Sequence, residues 1–245
     1  MGKLALDDPL GIARVVTGMH ANLLALGYDA RVSSDLALLD ATKQAVRNER
    51  VAPFYDPSVS SLGPDRAFWM SLIDSDGKVI GLQAFRLDFV ETNLGDWGPS
   101  YIIGLYMRRN EILVPTHASP PRNSIAERIR GRLVYHGELW LDRSVKNRRV
   151  FDQFGKFGML LSLIKWNPDA IWGLAAQQMA THGHVTRMGY SFIERGFLRW
   201  QWVPEGIDPV EWLAVAERDA LEQLVDEALT SRELLSPPER PRSQL

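Results

Sequence analysis

The chain has 245 residues, 45% hydrophobic and 24% charged, a balance that lets one domain with extensions bury about two-thirds of its unfolded surface. Its 28 basic and 30 acidic residues leave a net charge of −2, so no basic excess exists to neutralise nucleic-acid phosphates. Cysteine is absent, which excludes disulfides, thiolate nucleophiles and cysteine-ligated zinc. None of the five histidines forms an HExxH pattern, and no apolar run approaches the roughly 18 residues of a membrane span. These features fit a cytoplasmic protein that uses no metal, no membrane and no nucleic acid.

Residues 9 to 27 place Leu10, Ile12, Val15, Met19, Leu23 and Leu26 at helical spacing, and Gly27 can end that helix. A short strand follows over 28–32. Ser34 reads as the N-cap of a second helix over 35–47. Pro53, Pro57, Gly63 and Pro64 make 51–65 a loop. A hairpin comes next: a strand over 68–73, the turn Asp74-Ser75-Asp76-Gly77, and a return strand over 79–87. The span 91–131 reads as an insertion with some helix, whose Trp97 and Tyr101 are candidates to line an acceptor pocket.

A strand over 133–141 leads to a helix over 151–166. The apolar run 170–176 fits a strand buried on both faces. A short helix over 179–188 and one or two strands over 190–202 follow. Leu213, Ala216, Ala220, Leu224 and Ala228 predict a final helix over 209–229. Three prolines mark 236–245 as a disordered tail. The order predicts one α/β (α+β) domain over 1–235, a mixed sheet flanked by helices with helical extensions at both ends.

Within it, the strand "LVYHGELWL", the loop and helix "DRSVKNRRVFDQFGKFGMLLSLI", the strand "AIWGLAA" and the short helix "MATHGHVTRMGY" run from Leu133 to Tyr190. This series resembles the GNAT superfamily of acyl-CoA-dependent N-acyltransferases. Met188-Gly189-Tyr190 stands where that family has Leu-Gly-Phe. The resemblance implies acetyl-CoA, or another acyl-CoA, as donor and an amine of a small molecule or peptide as acceptor. It implies that the backbone of Leu139, Trp140 and Leu141 pairs with the pantetheine arm. It also implies a diphosphate held where the next helix begins, because free N–H groups and the macrodipole favour an anion there.

The family's Gln/Arg-x-x-Gly-x-Gly/Ala pattern is replaced here by Gln153-Phe154-Gly155-Lys156-Phe157-Gly158, with different spacing. Either Gln153, Gly155, Lys156 and Gly158 form the cradle, or Arg148 and Arg149 lead and the glycines only permit close packing. Arg143 and Lys146 add charge suited to a polyanion.

Strand alternation puts His136 and Glu138 on one face. Glu138 is the first candidate for general base and His136 the second. Val185 occupies the place of the family's tyrosine acid, leaving His184, Tyr190 or water for that role. These departures keep an alternative open: a catalytically inactive GNAT-like acyl-CoA-binding protein, or a homodimeric interaction module built on the helix 209–229.

Overall fold

The computed structural model describes residues 8–113 and 116–230, so Pro115 and the proline-rich segment 236–245 lie outside the described residues. In chain order the elements are α1 (Pro9–Ala25), β1 (Asp29–Ser33), α2 (Leu36–Arg47), β2 (Ala67–Ile73), β3 (Val79–Val90), α3 (Leu94–Arg108), a 3-10 turn (Ile125–Glu127), β4 (Gly131–Leu141), α4 (Arg148–Trp166), β5 (Ala170–Ala175), α5 (Gln177–Thr181), α6 (His184–Arg187), β6 (Phe192–Arg199), β7 (Val210–Glu217) and α7 (Arg218–Thr230).

The strands form one seven-stranded sheet in the order β1-β2-β3-β4-β5-β7-β6. Every neighbouring pair is antiparallel except β4 with β5, which is parallel. A parallel pair needs a crossover, and α4 supplies it. Helices cover both faces. On one, Ile12 and Val15 of α1, Phe154 and Leu160 of α4, and Leu221 and Leu224 of α7 pack with Phe85, Val134 and Ile171. On the other, Leu36 and Leu39 of α2 and Ile102 and Leu105 of α3 pack with Phe54, Tyr55 and Trp172. Each such fully buried side chain contributes about 1.5–3 kcal/mol. The fold is therefore α/β with a mixed sheet, extended by α1 before the first strand and α7 after the last.

Three expectations change, and the helix expected within 91–131 becomes definite. The cap of α2 is Asp35, not Ser34: its carboxylate accepts the Leu38 amide at 3.0 Å. Residues 94–108 form one helix despite Gly95, Gly98, Pro99 and Gly104. Asn93 caps it, and the bare face at Gly98 lets the ring of Phe197 approach closely. The short helix over 179–188 divides at Gly183, whose φ of 69° only glycine adopts freely, into α5 and α6.

The largest change is at the C-terminal end. Residues 210–217 are a strand and only 218–230 a helix. Leu213 and Val215 enter one core while Ala214 and Ala216 enter the other, a period of two. Ala, Leu and Glu favour helix weakly, but pairing with both β5 and β6 outweighs that preference. The homodimer module built on a helix over 209–229 loses its basis, since the first half of that segment is inside the sheet.

Candidate active site

β4 departs from regular geometry at Glu138. Its φ is 57°, and the ladder to β3 shifts there, with Leu82 opposite Trp140 but Ala84 opposite Gly137. One extra residue is thus inserted, a β-bulge, and the side-chain alternation flips. The bulge separates the two base candidates that strict alternation places together. His136 stacks on Phe85 at 4.3 Å between ring centroids, on the α4 side. Glu138 points to the α2 side, where its Oε2 is 2.7 Å from Lys43 Nζ and its Oε1 accepts the Ala52 amide at 2.6 Å.

The sheet opens beside this bulge. β4 and β5 pair at Leu133↔Ala170, Val134↔Ile171 and Tyr135↔Trp172, and there the described ladder ends. Beyond it β4 stays with β3 and β5 stays with β7 as far as Ala175↔Trp212. The wedge between them is a cavity of about 280 Å³, walled by Glu138, Leu139 and Trp140 from β4 and by Gly173, Leu174 and Ala175 from β5. At the point of parting, a Cβ on Gly173 would lie 2.7 Å from the His136 carbonyl oxygen, so the approach needs glycine.

Two layers close the wedge. From the α4 side come Met179, Val185, Met188 and Tyr190; from α2 come Lys43 and Arg47. Tyr190 Oη lies 2.8 Å from His136 Nδ1. Burial holds His136 down at about 3 and pushes the Tyr190 hydroxyl up, so both are neutral near pH 7. His136 Nε2 is buried without a partner.

The turn from β4 to α4 is short, running from Asp142 to Asn147. Asn147 caps α4 by accepting the Arg149 amide at 3.0 Å. Arg143, Lys146, Arg148 and Arg149 are all exposed around that helix start, beside Asp142, which its bonds from Ser144 hold low. The arrangement can hold an anion at the helix end and an extended chain along the free edge of β4. Among the described residues, no group of three His, Asp or Glu stands close enough to hold a metal ion, and no helix is long and apolar enough to cross a membrane.

The strand order, the crossover through α4 and the wedge at β4–β5 reproduce the order of elements that the resemblance implies. The chain has the GNAT fold. No protein-family model matches the chain, and no curated protein does. Solved structures of similar shape include NAA60 of Arabidopsis thaliana in complex with acetyl-CoA, 15% identical, the match covering 78% of this chain and 98% of that one at a TM-score of 0.46. FeeM, an N-acyl amino acid synthase from uncultured soil microbes, is 13% identical over 79% and 92% at 0.43. The GNAT family N-acetyltransferase YhbS of Escherichia coli, in complex with CoA, is 16% identical over 83% and 85% at 0.40.

Within this GNAT fold, Glu138, His136, Leu139 and Trp140 all line the wedge. Leu141 does not; its side chain covers Gly81 in the core. His184 stands outside the wedge, edge-on to Phe151 at 5.2 Å and 2.9 Å from Arg187. Arg148 and Arg149 are at the start of α4. Gln153, Gly155, Lys156 and Gly158 are not in the preceding turn but one to three turns inside the helix. Gly155 lies under Met188 and Gly158 under Phe85, so both serve close packing. Trp97 and Tyr101 stack at 4.6 Å and line a separate recess beside Arg86 and Asp88.

Lys43, Arg47 and Gly173 are among the wedge residues that the sequence did not single out. Lys43 and Arg47 continue the helical stripe begun by Leu36 and Leu39. Charge where an apolar stripe should continue is the signal that was present.

Proposed function

We propose that this protein transfers an acyl group from acyl-CoA to a primary amine. The observation that carries the reading is the wedge: β4 offers an edge unpaired on its β5 side from Gly137 onward, next to a basic helix start, in a cavity of about 280 Å³. Pantetheine amides would pair along Leu139 and Trp140, and the diphosphate would meet the amides of Lys146, Asn147 and Arg148 where α4 begins, with Arg143, Lys146 and Arg148 around it. Glu138 is the base: its carboxylate already faces an ammonium group at 2.7 Å. Tyr190 is the proton donor to the departing thiolate. Its hydroxyl is kept protonated by burial, and with the His136 proton on Nδ1 the imidazole would donate to the phenol oxygen and leave the phenol hydrogen free for the wedge.

The test is a titration with acetyl-CoA followed by thermal unfolding. At a hundredfold excess over Kd, binding adds about 2.7 kcal/mol and raises Tm by roughly 5–10 °C. No shift at millimolar acetyl-CoA would sink the proposal. Val185 in place of the family's tyrosine favours a second reading, an acyl-CoA binder without turnover. A thermal shift with no thiol release across a panel of amines would select it.

A further inference from the structure

Lys43 occupies the wedge as an incoming amine would. Its Nζ is 2.7 Å from Glu138 Oε2, its next acidic neighbour, Glu49, is 3.8 Å away, and its side chain is only 15% exposed. Glu138 is 2% exposed and fixed from its other oxygen by the Ala52 amide, so the pair is held rather than fluctuating at a surface. One turn along α2, Arg47 lies over the Trp140 ring at 5.6 Å and bonds Glu49, which keeps this face of α2 on the open edge of β4. An amine, a carboxylate that can take its proton, and the strand edge that would carry a thioester arm are therefore adjacent.

We propose that Lys43 is itself an acceptor: the chain acylates its own Lys43 ε-amine from acyl-CoA. This rests on the acyl-CoA reading above. Glu138 takes one proton from the ammonium and passes it to water. The freed lone pair attacks the thioester carbonyl carbon. A C–N bond forms, the C–S bond breaks, and the second proton shed by the nitrogen ends on the CoA sulfur. The products are Nε-acyl-Lys43 and free CoA. The acylated side chain is neutral and fills the acceptor half of the wedge, so the reaction stops at one acyl group per chain.

The experiment incubates the full chain with acetyl-CoA and no added amine, then locates acetyl groups by peptide mass spectrometry. The expected result is one acetyl per chain at Lys43, with the remaining lysines labelled at least about tenfold more slowly and no preference in the heat-unfolded chain. Lys43→Arg keeps a cation against Glu138 and removes the fast label. Glu138→Gln slows it by about a hundredfold. Even labelling of all lysines, or a fast label that survives Lys43→Arg, overturns the proposal; the latter variant decides the matter even where Glu138→Gln fails to fold. Thermal stabilisation by acetyl-CoA is read on the same samples. Stabilisation without a Lys43 label overturns self-acylation alone, whereas no stabilisation removes the acyl-CoA reading with it.

Discussion

Glu138 holds a backbone conformation that costs a non-glycine residue about 1 kcal/mol or more, and the Lys43 ammonium and the Ala52 amide hold it there. The positive φ falls on Glu138 and not on the neighbouring Gly137, so alternation read from the sequence runs straight through the bulge and sets His136 beside Glu138. In the proposed reaction the inserted residue gives the two groups different tasks: Glu138, against Lys43 on the α2 side, takes the amine's proton, and His136 supports Tyr190 on the α4 side. Tyr190→Phe isolates the second task. It leaves His136 Nδ1 as unpartnered as Nε2 already is, which costs about 1–3 kcal/mol. A Tyr190 that only props up the core would stop there. A proton donor predicts more: kcat for a small amine falls about tenfold or further while KM for acetyl-CoA changes little. Steady-state kinetics on the folded variant, with thiol release as the readout, separates the two.

At the scale of the element, α4 shows how a glycine pattern misleads. Gly155 and Gly158 look like a phosphate cradle because their spacing nearly matches one, yet the helix starts at Arg148 and buries both. An added Cβ at Gly158 would lie 2.4 Å from Phe85, a ring clamped between Phe68 and His136. At Gly155 it would lie 2.5 Å from the sulfur of Met188, a side chain that can turn aside. Alanine regains up to about 1 kcal/mol of helix propensity at either position. Set against an overpacking cost of about 1–3 kcal/mol, this leaves Gly158→Ala less stable by up to about 2 kcal/mol net and Gly155→Ala within about 1 kcal/mol of the parent, in urea unfolding. Were Gly158→Ala instead to weaken acetyl-CoA binding at unchanged stability, the cradle reading would return. The same contrast explains what was legible. The β2–β3 hairpin showed itself through Asp76-Gly77, and the β4-α4-β5 unit through its change of period, because those signals are local. The strand β7 and the helix α3 did not, because Ala, Leu and Glu in one and Gly and Pro in the other point away from states that tertiary pairing and packing impose. Of the site, the strand edge and the basic turn were readable as types of residue. Lys43 was not, since its partner is 95 positions away in the chain and meets it only after the bulge turns Glu138 over.

Across the whole molecule, two buried titrating groups on different strands oppose each other in pH. His136 on β4 is held down at about 3 by burial, so below about 6.5 the unfolded chain binds a proton that the folded chain refuses. Its contribution is fully present above 6.5 and is lost as pH falls toward 3. Glu211 on β7 goes the other way. Burial raises it to about 7, against the Trp200 N–H that bonds its carboxylate at 2.7 Å. Its contribution is fully present below about 4.5 and is lost as pH rises through 7. Between 4.5 and 6.5 the two slopes have opposite sign, so each offsets part of the other. Removing either one exposes the other. Glu211→Gln keeps an acceptor for Trp200, and the variant's stability should climb from pH 4.5 to 6.5 by up to about 1.4 kcal/mol per unit, the His136 slope alone. His136→Gln should instead lose stability over that interval, by less per unit, because Glu211 keeps part of its surface in water and is screened there. Urea midpoints measured at half-unit pH steps for the parent and both variants check this. Parallel curves for all three would mean that neither group titrates as its burial in the sheet requires.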